Sequence, residues 1–153
     1  MARRELLQRA LQTYWRWTRG LTIGAQGCVI DDRGRVLLVR HSYRPGWHFP
    51  GGGVDPNEHV GDALVRELME EVGVVVEGEP RLVGIYGNFR AFQSDHVVLF
   101  EVRSWRQPIV PKPNREILEH GFFAISALPA GTMPAVERRL AELFKGAAQS
   151  PEW

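Results

Sequence analysis

The chain has 153 residues, 44% of them hydrophobic and 24% charged, with a net charge of +1 at neutral pH. That balance fits one globular domain with a substantial core and excludes a global field that would draw the protein to nucleic acid or membrane. A single cysteine, Cys28, excludes an internal disulfide; with no apolar run of spanning length and no signal-peptide core, the expectation is a cytoplasmic protein.

Residues 1–20 carry five arginines against one glutamate, a local charge of +4. The run RRELLQRALQTYWRWT (residues 3–18) has helical spacing, with Leu6, Leu7, Ala10, Leu11, Tyr14, Trp15 and Trp17 over a broad face and Gly20 as a stop. It reads as an added basic amphipathic helix packed on the domain or on a second copy, and so as a homodimer surface. Contact with anionic lipid or RNA is the competing reading. Residues 21–30 and 36–40 are strand-like, joined by Asp31-Asp32-Arg33-Gly34, which has hairpin chemistry. Pro45, Gly46, Pro50 and Gly51 to Gly53 break the pattern into a loop, within which Trp47-His48-Phe49 has the composition of a short strand.

The run from Val60 to Val72 has helical spacing and is closed by Gly73. Val60, Leu64, Val65, Leu68 and Val72 fall on one arc fit for burial. Residues 81–86 and 96–102 read as two more strands, and residues 106–115, with three prolines, as a surface loop. A last strand is expected over 117–125 and a closing amphipathic helix over 134–144, on Val136, Leu140, Leu143 and Phe144. The tail, residues 147–153, is expected to fray. Strands grouped on either side of one helix, with another helix at the end, predict an α/β fold in which a mixed sheet lies between helices.

Next to the apolar arc of the central helix, Glu67 and Glu71 lie one turn apart with Glu70 beside them. At an effective dielectric of about 20, two unit charges about 4 Å apart repel by about 4 kcal/mol. A positive group is therefore expected among them, and all-oxygen ligation suits Mg²⁺ or Mn²⁺.

Gly52, five residues, Glu58, seven residues, then Arg66-Glu67-Leu68-Met69-Glu70-Glu71-Val72-Gly73-Val74 matches the Nudix box at every defining position. Over residues 21–146 the chain resembles a Nudix hydrolase, a family that cleaves a nucleoside diphosphate linked to another group. Phe49 before Pro50 and Asn57 before Glu58 depart from the commoner residues without touching a ligand position. The resemblance implies an α/β/α sandwich with a mixed sheet. It also implies a Mg²⁺ site (Mn²⁺ the alternative) made by Glu67, Glu70, Glu71 and the carbonyl of Gly52. Arg66 would orient these glutamates by ion pairing, and Glu58 would support the cluster at the mouth of the loop. The general base would be Glu67 or Glu116, with Glu119 close to the latter.

Arg40, and less strongly Arg44, stand where relatives place phosphate-contacting bases, and Trp47 is placed to stack on a nucleobase. None of the five histidines has metal-ligand spacing, and each reads as structural. The activity implied is metal-assisted attack of water on phosphorus in a small nucleotide: a nucleoside triphosphate, nucleotide sugar, ADP-ribose or dinucleoside polyphosphate. An RNA 5′-end pyrophosphohydrolase using the basic N-terminal run, and a non-catalytic nucleotide sensor, are the alternatives. The intact glutamate set and the lack of room for a DNA-binding domain weigh against the sensor.

Overall fold

The computed structural model describes Tyr14 and residues 20–153. The expected N-terminal helix, and the homodimer surface read into it, lie outside the described residues. Strand β1 (Thr22–Val29) is the hub of the fold. It runs parallel to the later strand Asp95–Val102 over its whole length and antiparallel to Gly51–Gly53. In chain order the strands are β1, β2 (Arg35–His41), β3 (Trp47–His48), β4 (Gly51–Gly53), β5 (Val75–Val76), β6 (Arg81–Gly87), β7 (Asp95–Val102), β8 (Trp105–Arg106) and β9 (Ile117–Ala124). Helix α1 (Val60–Val72) follows β4, and α2 (Pro134–Phe144) follows β9. One sheet has the order β4-β1-β7-β6 and a second the order β3-β2-β9, with β5 and β8 paired apart. The expected mixed sheet is therefore present, divided in two.

The turn at Asp31–Gly34 forms as its composition predicts. Gly34 takes a φ of 73°, and the Asp31 carboxylate accepts from the backbone N–H groups of Arg33 and Arg35. The expected hairpin does not follow, because β1 and β2 meet through a single bridge, Ile30 to Val36, and then diverge into different sheets. The glycine run read as loop is strand β4. Paired β-structure also occurs at β5 and β8, whose two-residue lengths give no periodicity to detect.

The pleat of β1 sorts its residues between two cores. Ala25 and Val29 pack with Leu37, Val39, Leu64, Leu68 and Val72 beneath α1. Gly27 points the same way, since a Cβ there would meet Leu64 and Leu68 methyls at 3.2 Å. Cys28 and Ile30, on the opposite face, pack with Phe49, Tyr86, Leu99, Val136 and Leu140 beneath α2. Burial pushes the Cys28 thiol up to about 12, so it behaves as a small hydrophobe. Leu64, Leu68 and Val72 of the expected arc are buried, but Val65 is 41% exposed. Glu71, three residues after Leu68, takes the place on the inward stripe instead. Helix α1 ends as Gly73 predicts, with φ of 67° and its N–H donating to the Met69 carbonyl while Val74 N–H reaches the Leu68 carbonyl.

The tail departs from expectation as well. It folds back along β6: Gly87 N–H donates to the Pro151 carbonyl and Trp153 N–H to the Gly87 carbonyl. The Trp153 ring packs 5.7 Å from that of Tyr86 and 6.3 Å from that of Phe49. An aromatic residue with a core to cover explains why a polar, Pro-containing segment is tied down.

Candidate active site

The site grows from the junction of β4 with α1. Gly51 has a φ of 139°, and a Cβ there would lie 2.1 Å from the Ala25 carbonyl oxygen, so only glycine lets β4 lie this close to β1. This places the Gly51 N–H 2.8 Å from Glu71 Oε2, as donor to a buried carboxylate. At Gly52 a Cβ would sit 2.5 Å from the carboxylate carbon of Glu67. The two glycines thus form a backbone floor against which two glutamates of α1 rest.

Arg66 organises the neighbouring carboxylates. Its Nε and Nη2 donate to Glu58 at 2.9 Å each, Nη1 donates to Glu67 at 2.6 Å, and Nη2 also reaches the Gly53 carbonyl at 3.0 Å. Glu70 lies 3.5 Å from Nη1 with its side chain 62% exposed. These hydrogen bonds from Arg66, joined by the Asp55 N–H, lower the Glu58 carboxyl to about 2. Arg66 thus touches Glu58 and Glu67 directly and Glu70 more loosely. The three box glutamates do not share one environment, however: Glu71 is buried, Glu67 half-sheltered and Glu70 at the rim.

Glu71 receives no such cation. Burial, opposed by the Gly51 N–H and reinforced by the charge of Glu67, raises its carboxyl to about 8. Glu116, from the loop before β9, and His41, at the end of β2, bring donor atoms within 4.8 Å of one another and of a Glu71 oxygen. His41 was read from sequence as structural, yet its side chain is fully buried with Nδ1 3.7 Å from Glu71 Oε1. The signal was available: Leu37, Val39 and His41 share strand parity, which puts an imidazole on the face toward α1. Arg44, which has only donors, lies 2.7 Å from His41 Nε2. Nε2 must accept, so the proton sits on Nδ1 and faces Glu71. Burial, then the charges of Arg44 and His48, lower the His41 imidazole to about 4. The carboxylate oxygens around Glu71, short of positive partners, suit a hard divalent cation.

A cleft of about 720 Å³ opens on the other side of the glycine floor. Its lining includes Gly51 to Gly53, Gln26, Tyr43, Arg44, His48, Arg138, Trp153 and residues 133–136. Arg44 is thus part of the cleft wall. Arg40 does not line the cleft; it pairs with Glu119 at 3.0 Å. Trp47 is 7% exposed, edge-on to Phe123 in the α2 core, where it is shielded from any ligand.

The NUDIX domain family profile matches residues 20–144. Among solved structures the chain is similar to the MutT NUDIX hydrolase of Burkholderia pseudomallei, at 25% identity and a TM-score of 0.69 over 81% of this chain and 98% of that one. It is 41% identical over 58 residues to the human Nucleoside diphosphate-linked moiety X motif 6, covering 36% of this chain and 18% of that protein. It is also 52% identical over 46 residues to an RNA pyrophosphohydrolase of Halorhodospira halophila, covering 30% of this chain and 25% of that protein. The matched stretch spans roughly a fifth to a third of the curated relatives' length. The chain belongs to the NUDIX family.

Proposed function

We propose that this protein is a cytoplasmic, divalent-metal-dependent pyrophosphohydrolase of small nucleotides in which a nucleoside diphosphate is linked to another group. The observation that carries the reading is the buried Glu71 carboxylate on the Gly51 N–H, with Glu67 and Glu116 as acidic neighbours. Glu67, Glu70, Glu71 and the Gly52 carbonyl would hold Mg²⁺, with Mn²⁺ as the alternative. When bound, the ion supplies neutralisation of the phosphate oxygens and a water of lowered pKa. Arg66 holds Glu67 and Glu58 in place, and Arg44 offers a guanidinium to a phosphate at the mouth of the cleft. Glu116 is the better proton acceptor for the attacking water, because Glu67 is occupied by Arg66 at 2.6 Å whereas Glu116 has no cation partner among the described residues. No helix among the described residues is long and apolar enough to cross a membrane.

The test is a panel of nucleoside triphosphates, nucleotide sugars, ADP-ribose and dinucleoside polyphosphates with Mg²⁺ or Mn²⁺, the products separated by chromatography. Turnover that needs metal and falls at least about 100-fold in Glu71→Gln is expected. Full activity in that variant, or no turnover of any substrate, overturns the reading.

A second reading, hydrolysis at an RNA 5′ end, is supported by the name of the Halorhodospira halophila relative and by the +4 charge of residues 1–20. It predicts RNA binding that weakens steeply with salt, a dependence small nucleotides would show only weakly.

A further inference from the structure

Gln26 carries a buried polar group that the reading above leaves without a task. It sits on β1 opposite Gly51, is 8% exposed, and lines the cleft. Its Oε1 is buried and has no hydrogen-bond partner. By strand parity its side chain shares a face with Cys28 and Ile30, whose cluster includes Phe49, Tyr86 and the partly exposed Trp153. Gln26 therefore stands where that apolar cluster gives way to the cleft. An unpaired amide oxygen at such a place costs stability that an apolar side chain of the same size would not.

We propose that Gln26 is a specificity-determining residue that reads the base of the bound nucleotide and favours adenine or cytosine over its keto counterpart. The proposal rests on the nucleotide reading of the cleft. Phosphate oxygens are acceptors and cannot satisfy Oε1; an exocyclic amino group can, and it stands further out from the ring than the ring N–H of a keto base, so it reaches a buried oxygen first. In adenine and cytosine that amino group adjoins a ring nitrogen that accepts, so one amide meets the edge with two hydrogen bonds, Oε1 accepting and Nε2 donating. Trp153, which also lines the cleft, offers apolar surface to the face of the base.

The experiment is calorimetric titration of the full chain with Mg²⁺ and four nucleoside 5′-monophosphates: AMP against IMP, and CMP against UMP. Each pair exchanges an amino group for a carbonyl and leaves ribose and phosphate alone. Wild type is expected to bind AMP and CMP about 10-fold more tightly than their keto counterparts. Gln26→Leu should hold the thermal stability of wild type or exceed it, and should bind the members of each pair within about 2-fold of each other. Equal binding of AMP and IMP by wild type, or an undiminished preference in Gln26→Leu, overturns the proposal. If wild type hydrolyses nucleotides but ignores the exchange, only the role of Gln26 falls. If it neither binds nor hydrolyses any nucleotide, the functional reading falls first.

Discussion

The buried imidazole of His41 faces the buried carboxylate of Glu71, Nδ1 standing 3.7 Å from Oε1, and Arg44 fixes which ring nitrogen carries the proton. At that separation Nδ1 makes no hydrogen bond, so the neutral imidazole packs beside Glu71 and limits where its carboxylate can swing, which keeps the free lone pairs in a constant direction. Replacing His41 by alanine should lower kcat by about 10- to 100-fold with a smaller change in KM. Because burial and Arg44 lower His41 to about 4, its ring is neutral at pH values well above that. Nitrogen chemical shifts of His41 should therefore stay flat from about pH 5.5 to 8; a titration in that range would remove the positioning role assigned to it.

Gly52 tests whether Glu67 needs its backbone floor. A methyl group there would overlap the Glu67 carboxylate, and the carboxylate cannot retreat without leaving Arg66. Gly52→Ala is expected to displace the Glu67 carboxylate at little cost in stability, because the overlapped atoms are the mobile end of a side chain that solvent still reaches. Activity should fall by at least 10-fold, about 1.4 kcal/mol in the barrier. Urea titration and steady-state rates on one preparation would check both. A variant that is folded, unstrained and fully active would show that Glu67 is free to move.

Most of the fold could be read from the chain because its signals are local. Helix α1 ends at Gly73, α2 begins at Pro134, and the core strands have runs such as Val36-Leu37-Leu38-Val39. What escaped depends on contacts distant in sequence. The strand at Gly51–Gly53 forms because β1 lies beside it, and no propensity of glycine announces that. Trp47 has the composition of a stacking platform, yet Phe123, 76 positions later, claims it for the core. His41 lacks any ligand spacing because its partners, Glu71 and Glu116, arrive from a helix and a loop far along the chain. The box residues were legible as a pattern; their division into buried Glu71, sheltered Glu67 and exposed Glu70 was not.

Glu58 gives the site an acid limit. Arg66 and the Asp55 N–H hold its folded-state carboxyl at about 2, below the ordinary glutamate value. A lowered carboxyl contributes stability that is present above the unfolded value, about 4.3, and is lost as pH falls through the folded one. Wild type should therefore lose stability between about pH 4.5 and 2 more steeply than Glu58→Gln, which cannot titrate at this position. Denaturant midpoints at half-unit pH steps would read the difference, and parallel curves for the two proteins would dissociate Glu58 from the acid response.

Arg139 ties the tail to the domain from inside. It is fully buried, donates to Glu142 at 2.7 Å and to the Ser150 carbonyl at 3.2 Å, and lies 4.0 Å from the Tyr86 ring centroid and 6.0 Å from that of Trp153. Glu142 is 8% exposed at its side chain and also accepts from the Ser150 N–H. Removing the cation alone leaves a buried carboxylate with no charge partner, so Arg139→Met should cost about 3–5 kcal/mol. Removing both charges, in Arg139→Met with Glu142→Leu, should restore most of that loss, since apolar replacement of a buried pair is often neutral. Denaturant unfolding of the two singles and the double gives the coupling directly. If the tail is held by this pair, both the single variant and the double should become open to proteolysis after residue 146, since the double loses the Arg139 and the Glu142 contacts to Ser150 alike. Equal cleavage of wild type and both variants would show that the pair does not hold the tail.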